Sequence, residues 1–191
     1  MEQERKRTGK ILTIPNLLSM FRLALIPVMW ELYVVQDEPG WTIAVLGLSG
    51  LTDIADGKIA RKFNMTSDLG KILDPMADKL TQMALLAILL VQHAELIYVL
   101  ILQVIKEAAM GIAGLVVIRK TRTVNSAIWP GKACTVILYT TLLLLFLLPD
   151  MHTELVWLLV ILCVIAIVVS FGLYMRHYRN LIRQKKRPEG A

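Results

Sequence analysis

Apolar runs of membrane length alternate along this chain with short polar links, and the pattern divides it into six helical spans. They cover approximately Ile14–Val35, Trp41–Arg61, Ile72–Gln92, Leu96–Ile118, Gly131–Leu148 and Leu155–Tyr174. A helix needs about 20 mostly apolar residues to cross about 30 Å of hydrocarbon, and several of these runs approach that length. The second and third spans carry charge at one end, which weakens their apolar signal. The links after the first, third and fifth spans are short, "QDEPG", "HAE" and "PDMHTE", so consecutive helices are expected to lie antiparallel in a compact bundle. No internal repeat and no soluble domain interrupts the pattern. The expected fold is an all-α integral membrane protein with a single domain over 1–191. Within it, 1–13 is a basic juxtamembrane segment, 14–175 a bundle of six transmembrane helices, and 176–191 a basic tail.

Composition strengthens this reading. Of 191 residues, 56% are hydrophobic, and mean hydropathy is +0.60, above what an ordinary soluble domain carries. Cys134 and Cys163 both sit inside apolar runs without metal-ligand spacing, so they read as small hydrophobes. His93, His152 and His177 are scattered near helix ends and form no ligand set. The start "MEQERKRTGK" is not followed at once by a short apolar region and a small-residue cleavage site, so no cleaved leader is read there.

Charge adds an orientation. Arg5, Lys6, Arg7 and Lys10 precede the first span, and Lys58, Arg61, Lys62 and Lys71 lie between the second and third. Arg119, Lys120, Arg122 and Lys132 follow the fourth, and the tail "RHYRNLIRQKKR" continues the series. The other three links hold Asp37, Glu38, Glu95, Asp150 and Glu154 and no lysine or arginine. By the positive-inside rule both termini are expected in the cytoplasm, in a multi-pass protein of the cell membrane. The formal net charge of +6 suits anionic lipid and phosphorylated substrates at the inner surface. Nucleic-acid binding is not expected, because there is no basic domain studded with aromatic residues.

Against this background the stretch "TDIADGKIARKFNMTSDLGKILDPMADKL" stands out. Asp53, Asp56, Gly57, Ala60 and Arg61 follow helical spacing and share one face of the second span; Asp74 and Asp78 share a face of the third. The turn between them contains Gly70, and Asp68 in that loop reads as a helix cap. Two antiparallel helices could thus bring four carboxylates together, and like charges that close require positive charge among them. A pair of hard divalent cations, Mg²⁺ or Mn²⁺, provides it naturally. Gly57 and Ala60 would let a bulky ligand approach the backbone, and Arg61 could reach a phosphate. A cation transporter would instead place its acidic residues near the midplane, on broken helices in repeated halves; here they lie toward one interface.

The ordered set Asp53, Asp56, Gly57, Ala60, Arg61, Gly70, Asp74 and Asp78 resembles, without gap or substitution, the signature of the CDP-alcohol phosphatidyltransferases. That resemblance implies transfer of a phosphatidyl group from a CDP-linked donor to an alcohol, with release of CMP. It implies that Asp53, Asp56, Asp74 and Asp78 bind two divalent metals, and that Gly57, Ala60, Arg61 and Gly70 line the CDP side. It also implies that Asp78 is the base that deprotonates the attacking hydroxyl. Many such enzymes are dimers, so a homodimer is a further implied partner.

The opening of the first span, "TIPNLLSMFRLALIP", is similar to the start of bacterial phosphatidylglycerophosphate synthases, with Pro15, Asn16 and Arg22 carrying the likeness. Arg22, well inside an apolar span, could snorkel to the interface or face the acidic site. Lys132 in "WPGKACT" is similar to a Gly-Lys pair in the same enzymes, whereas Lys106-Glu107 stands where they usually have Arg-Glu. The expected reaction is therefore transfer from CDP-diacylglycerol to sn-glycerol 3-phosphate, with Lys106, Arg119 and Lys132 binding the acceptor. The alternatives are a cardiolipin synthase of the same fold, taking phosphatidylglycerol as acceptor, or another CDP-alcohol phosphatidyltransferase.

Overall fold

In the computed structural model the described residues are 14–63, 70–121 and 129–186, and every regular element among them is helical. Helix α1 is Ile14–Trp30, extended by a wider π turn over Glu31–Val35. Helix α2 is Pro39–Phe63 and α3 is Gly70–Leu89. After a 3₁₀ turn at Ala94–Leu96 come α4 (Ile97–Thr121), α5 (Trp129–Leu147) and α6 (Thr153–Lys186). The expected basic segment 1–13, the loop with Asp68, Arg122 and the last residues of the tail lie outside the described residues.

The six helices follow the apolar runs, with one extension. Helix α6 continues through "RHYRNLIRQKK" to Lys186, past the point where hydropathy falls. Arg and Lys are good helix formers, and no Gly or Pro interrupts the run until Pro188. Among the described residues, three stretches are long and apolar enough to cross a membrane: Asn16–Val35, Ala94–Val117 and Thr153–Leu181; Gly131–Leu147 is a shorter apolar helix. The charged residues of α2 and α3 depress their apolar character, as their sequences lead one to expect.

The chain divides into two compact units, Met1–Val91 and Gln92–Ala191. In the first, α1 packs against both α2 and α3. The α1–α2 link is short because Asp37 turns the chain in the left-handed region, at φ 52°, a conformation Asp tolerates better than most residues. Glu38 N–H then donates to Leu32 O at 2.9 Å, Pro39 opens α2 where a missing N–H costs nothing, and Thr42 caps Glu38 O through its hydroxyl at 3.1 Å.

In the second unit α6 is the shared partner, packing against α4 and α5. Its buried stripe of Val156, Val160, Cys163, Ile167, Ser170 and Tyr174 keeps helical spacing, and α5, against which it packs, buries Cys134, Leu138, Leu142 and Leu145. The cysteines are unbridged and buried, and the Cys163 thiol donates to Thr141 Oγ1 at 3.3 Å. They are packing residues, as their positions in apolar runs imply.

Candidate active site

One face of α1 changes character along its length. Asn16, Ser19 and Arg22 are buried at intervals of one helical turn, and the same stripe continues as Leu25, Met29 and Tyr33. Helix α3 repeats the change: Thr81 and Gln82 are buried near Asp78, followed by Leu85, Leu86, Ile88 and Leu89. Ser49, one turn before Asp53 in α2, is buried as well. The first unit is therefore polar inside at one end and apolar at the other.

Arg22 is the centre of the polar end. Its side chain is 3% exposed, yet one nitrogen, Nη1, reaches Asp53 Oδ1 of α2 at 2.6 Å and also donates to Asp78 Oδ1 of α3. The three residues meet because their depths match. At a rise of about 1.5 Å per residue, Arg22 lies about 12 Å from Ile14, Asp78 about 12 Å from Gly70, and Asp53 about 15 Å back from Phe63. Of the two roles open to Arg22, the structure assigns it to the acidic site. An arginine central in a membrane helix costs about 2.5–3.5 kcal/mol on insertion scales, which is why it needs such partners.

The carboxylates differ from the guanidinium in exposure. Asp53 and Asp78 keep 48% and 49% of their side-chain surface open, so the buried cation lies behind two accessible acids. Both Oδ1 atoms share one nitrogen and so lie within two hydrogen-bond lengths of each other. Hard oxygen donors from two helices, gathered around a positive group and open on one side, fit the donor chemistry of a divalent cation. Asp56 stands one helical turn after Asp53, and Asp74 one turn before Asp78. The side chains of Asp56, Ala60, Arg61 and Asp74, and the surroundings of Gly57 and Gly70, lie outside the described residues.

The expected acceptor residues belong to the second unit. Lys106 is buried at 5% exposure, and its Nζ lies 3.0 Å from Oε1 of the neighbouring Glu107, which also accepts from Gln103 Nε2 at 3.2 Å. Lys132 is exposed in the first turn of α5. Arg119 lies near the end of α4, with its side chain outside the described residues. Ser49, Thr81 and Gln82 were not singled out from sequence. Their signal was available: each stands three or four residues from Asp53 or Asp78 on an otherwise apolar helix.

A model of the CDP-alcohol phosphatidyltransferase family matches residues 12–172, running through both units. The chain is 45% identical over 85 residues to a cardiolipin synthase (CMP-forming) of Streptomyces coelicolor, a stretch covering 42% of this chain and 40% of the relative. It is 42% identical over 111 residues to the cardiolipin synthase (CMP-forming) of Homo sapiens, covering 56% of this chain and 35% of the relative. The matched stretches thus span less than half the length of either relative.

Proposed function

Because the chain belongs to the CDP-alcohol phosphatidyltransferase family, we propose that it transfers a phosphatidyl group from CDP-diacylglycerol to phosphatidylglycerol, giving cardiolipin and CMP. The likeness to CMP-forming cardiolipin synthases from a bacterium and a human carries the choice of acceptor. It favours the lipid acceptor over sn-glycerol 3-phosphate, the acceptor first expected from the opening of α1. The Lys106–Glu107 pair points the same way. A lysine already neutralised by its neighbour is poorly suited to receive the phosphate of a small polar acceptor. Exposed Lys132 and, by position, Arg119 are the better candidates for the phosphodiester of a lipid acceptor.

In this reading Asp53, Asp56, Asp74 and Asp78 hold two divalent ions, Mg²⁺ or Mn²⁺. When bound, such ions supply positive charge where negative charge builds on the transferred phosphoryl group and on departing CMP. Asp78, half open beside Arg22, takes the proton from the acceptor hydroxyl. The freed oxygen bonds to the diacylglycerol-side phosphorus as the bond to CMP breaks, and the electron pair leaves with CMP. Gly57 and Ala60 leave room on the α2 face for the cytidine end, and Arg61 pairs with its phosphate. The lysine and arginine bias supports a site at the cytoplasmic face of the cell membrane.

The test is acceptor-dependent release of CMP. Purified protein given CDP-diacylglycerol and Mn²⁺ is expected to release CMP with phosphatidylglycerol and not with sn-glycerol 3-phosphate. Release with the small acceptor alone would reverse the assignment.

A further inference from the structure

We infer that Arg22 is a built-in counter-ion of the acidic site, a positioning residue that gathers Asp53 and Asp78 when no metal is bound and competes with metal for their oxygens. The inference deepens the proposed function, since it rests on reading those aspartates as metal ligands.

Three observations carry it. First, the contact is a bridge between helices: one nitrogen of α1 meets an oxygen from α2 and an oxygen from α3. Such a bridge opposes the separation that repulsion between the two acids would drive. Second, the charge is permanent. A guanidinium does not lose its proton at any physiological pH, so the bridge persists whenever the carboxylates are ionised. Third, the geometry is two-sided. Arg22 is buried while both acids are half exposed, so a cation arriving from the open side meets oxygens already gathered from behind.

Charge balance gives the bridge its second role. Arg22 brings one positive charge, and Asp53, Asp56, Asp74 and Asp78 bring four negative ones within one helical turn of the bridge. Counted against both Arg22 and Arg61, the four acids still leave the site net negative and attractive to divalent ions. Yet Asp53 Oδ1 and Asp78 Oδ1 cannot serve Arg22 fully and a metal fully at once. Whatever Arg22 contributes to the metal-free state is then subtracted from metal binding, by linkage. Arg22 thus holds the unloaded site together and keeps metal affinity moderate.

Full-length Arg22→Gln, Arg22→Lys and Arg22→Gln/Asp53→Asn proteins test this, with Mn²⁺ binding followed by the signal of free Mn²⁺ and melting followed by tryptophan fluorescence. Arg22→Gln is expected to melt lower without metal, to gain more from Mn²⁺ than wild type does, and to bind Mn²⁺ at least about fivefold tighter. Arg22→Lys keeps the charge and should stay near wild type in both. Asp53→Asn added to Arg22→Gln should restore part of the metal-free melting temperature, because it removes one of the repelling charges. Folded Arg22→Gln with Mn²⁺ affinity equal to or weaker than wild type overturns the inference. If Arg22→Gln does not fold, rescue by Asp53→Asn supports it and failure of rescue overturns it. Wild type that takes up no Mn²⁺ would defeat the metal reading instead, and the metal-free rescue by Asp53→Asn would still decide the role of Arg22.

Discussion

The two units are built on the same plan among the described residues, and their shared helices carry different chemistry. Each has three helices, one of which packs against the other two: α1 in the first, α6 in the second. The shared helix of the second unit buries Val156, Val160, Cys163 and Ile167 along with Ser170, and packs against α5. The shared helix of the first buries Asn16, Ser19 and Arg22 along half its length. Lipid tails are as apolar as leucine, so in a bilayer burial alone distinguishes little, and close packing and polar contacts decide association. Along α6 the second unit relies mainly on shape. The first uses polar contacts for half its length and thereby keeps two acids poised at an open face.

The largest effect that would break this contrast belongs to the polar end. Asp78→Asn is expected to lower CMP release by about a thousandfold or more, as loss of a general base does, while CDP-diacylglycerol binding is at least partly kept. A rate within tenfold of wild type would remove Asp78 as the base. In the apolar unit the same size of change should fall on stability. Leu142→Ala, at a site 1% exposed, should cost about 2–5 kcal/mol by leaving a cavity, with Mn²⁺ affinity unchanged in the folded fraction. A shift in Mn²⁺ affinity would mean that the units are not separable in this way.

Smaller changes sharpen the contrast. At Gly131 an added Cβ would lie 2.8 Å from Tyr174 Cε2, so Gly131→Ala must displace that ring. Overpacking of about 1–3 kcal/mol, offset by better helix propensity, leaves a net loss of about 1 kcal/mol in a melting experiment. The smallest effect concerns His93, buried just before the 3₁₀ turn. Burial lowers its pKa below the ordinary 6.5, and nearby Glu95 opposes that shift. The folded state disfavours the imidazolium, so His93 contributes stability above about pH 6.5 that is lost as pH falls toward its folded pKa. His93→Gln should flatten the difference between melting temperatures at about pH 7.5 and about pH 5.5. An unaltered difference would show that His93 titrates alike in both states.

Much of this arrangement was legible before any coordinates. Apolar runs and short links gave six helices near their observed limits, because hydropathy and link length are local properties. The acidic spacing pointed to α2 and α3 for the same reason. Hydropathy misjudged the end of α6, where helix propensity outlasts the apolar run. It also could not choose between two fates for Arg22. Snorkelling and pairing look identical along one helix, and only the depths of Asp53 and Asp78 on neighbouring helices decide between them. The pairing of Lys106 with Glu107 was hidden for a related reason, since adjacent charges on a helix do not ordinarily face each other.

The central claim is that a phosphatidyl group passes intact from the CDP-linked donor to a lipid alcohol. Supplying CDP-diacylglycerol and phosphatidylglycerol with different acyl chains, and weighing the product by mass spectrometry, tests it most directly. The account predicts a four-chain lipid carrying both sets of chains, formed in step with CMP. A two-chain product carrying only the donor's chains, formed when sn-glycerol 3-phosphate is also present, would contradict it.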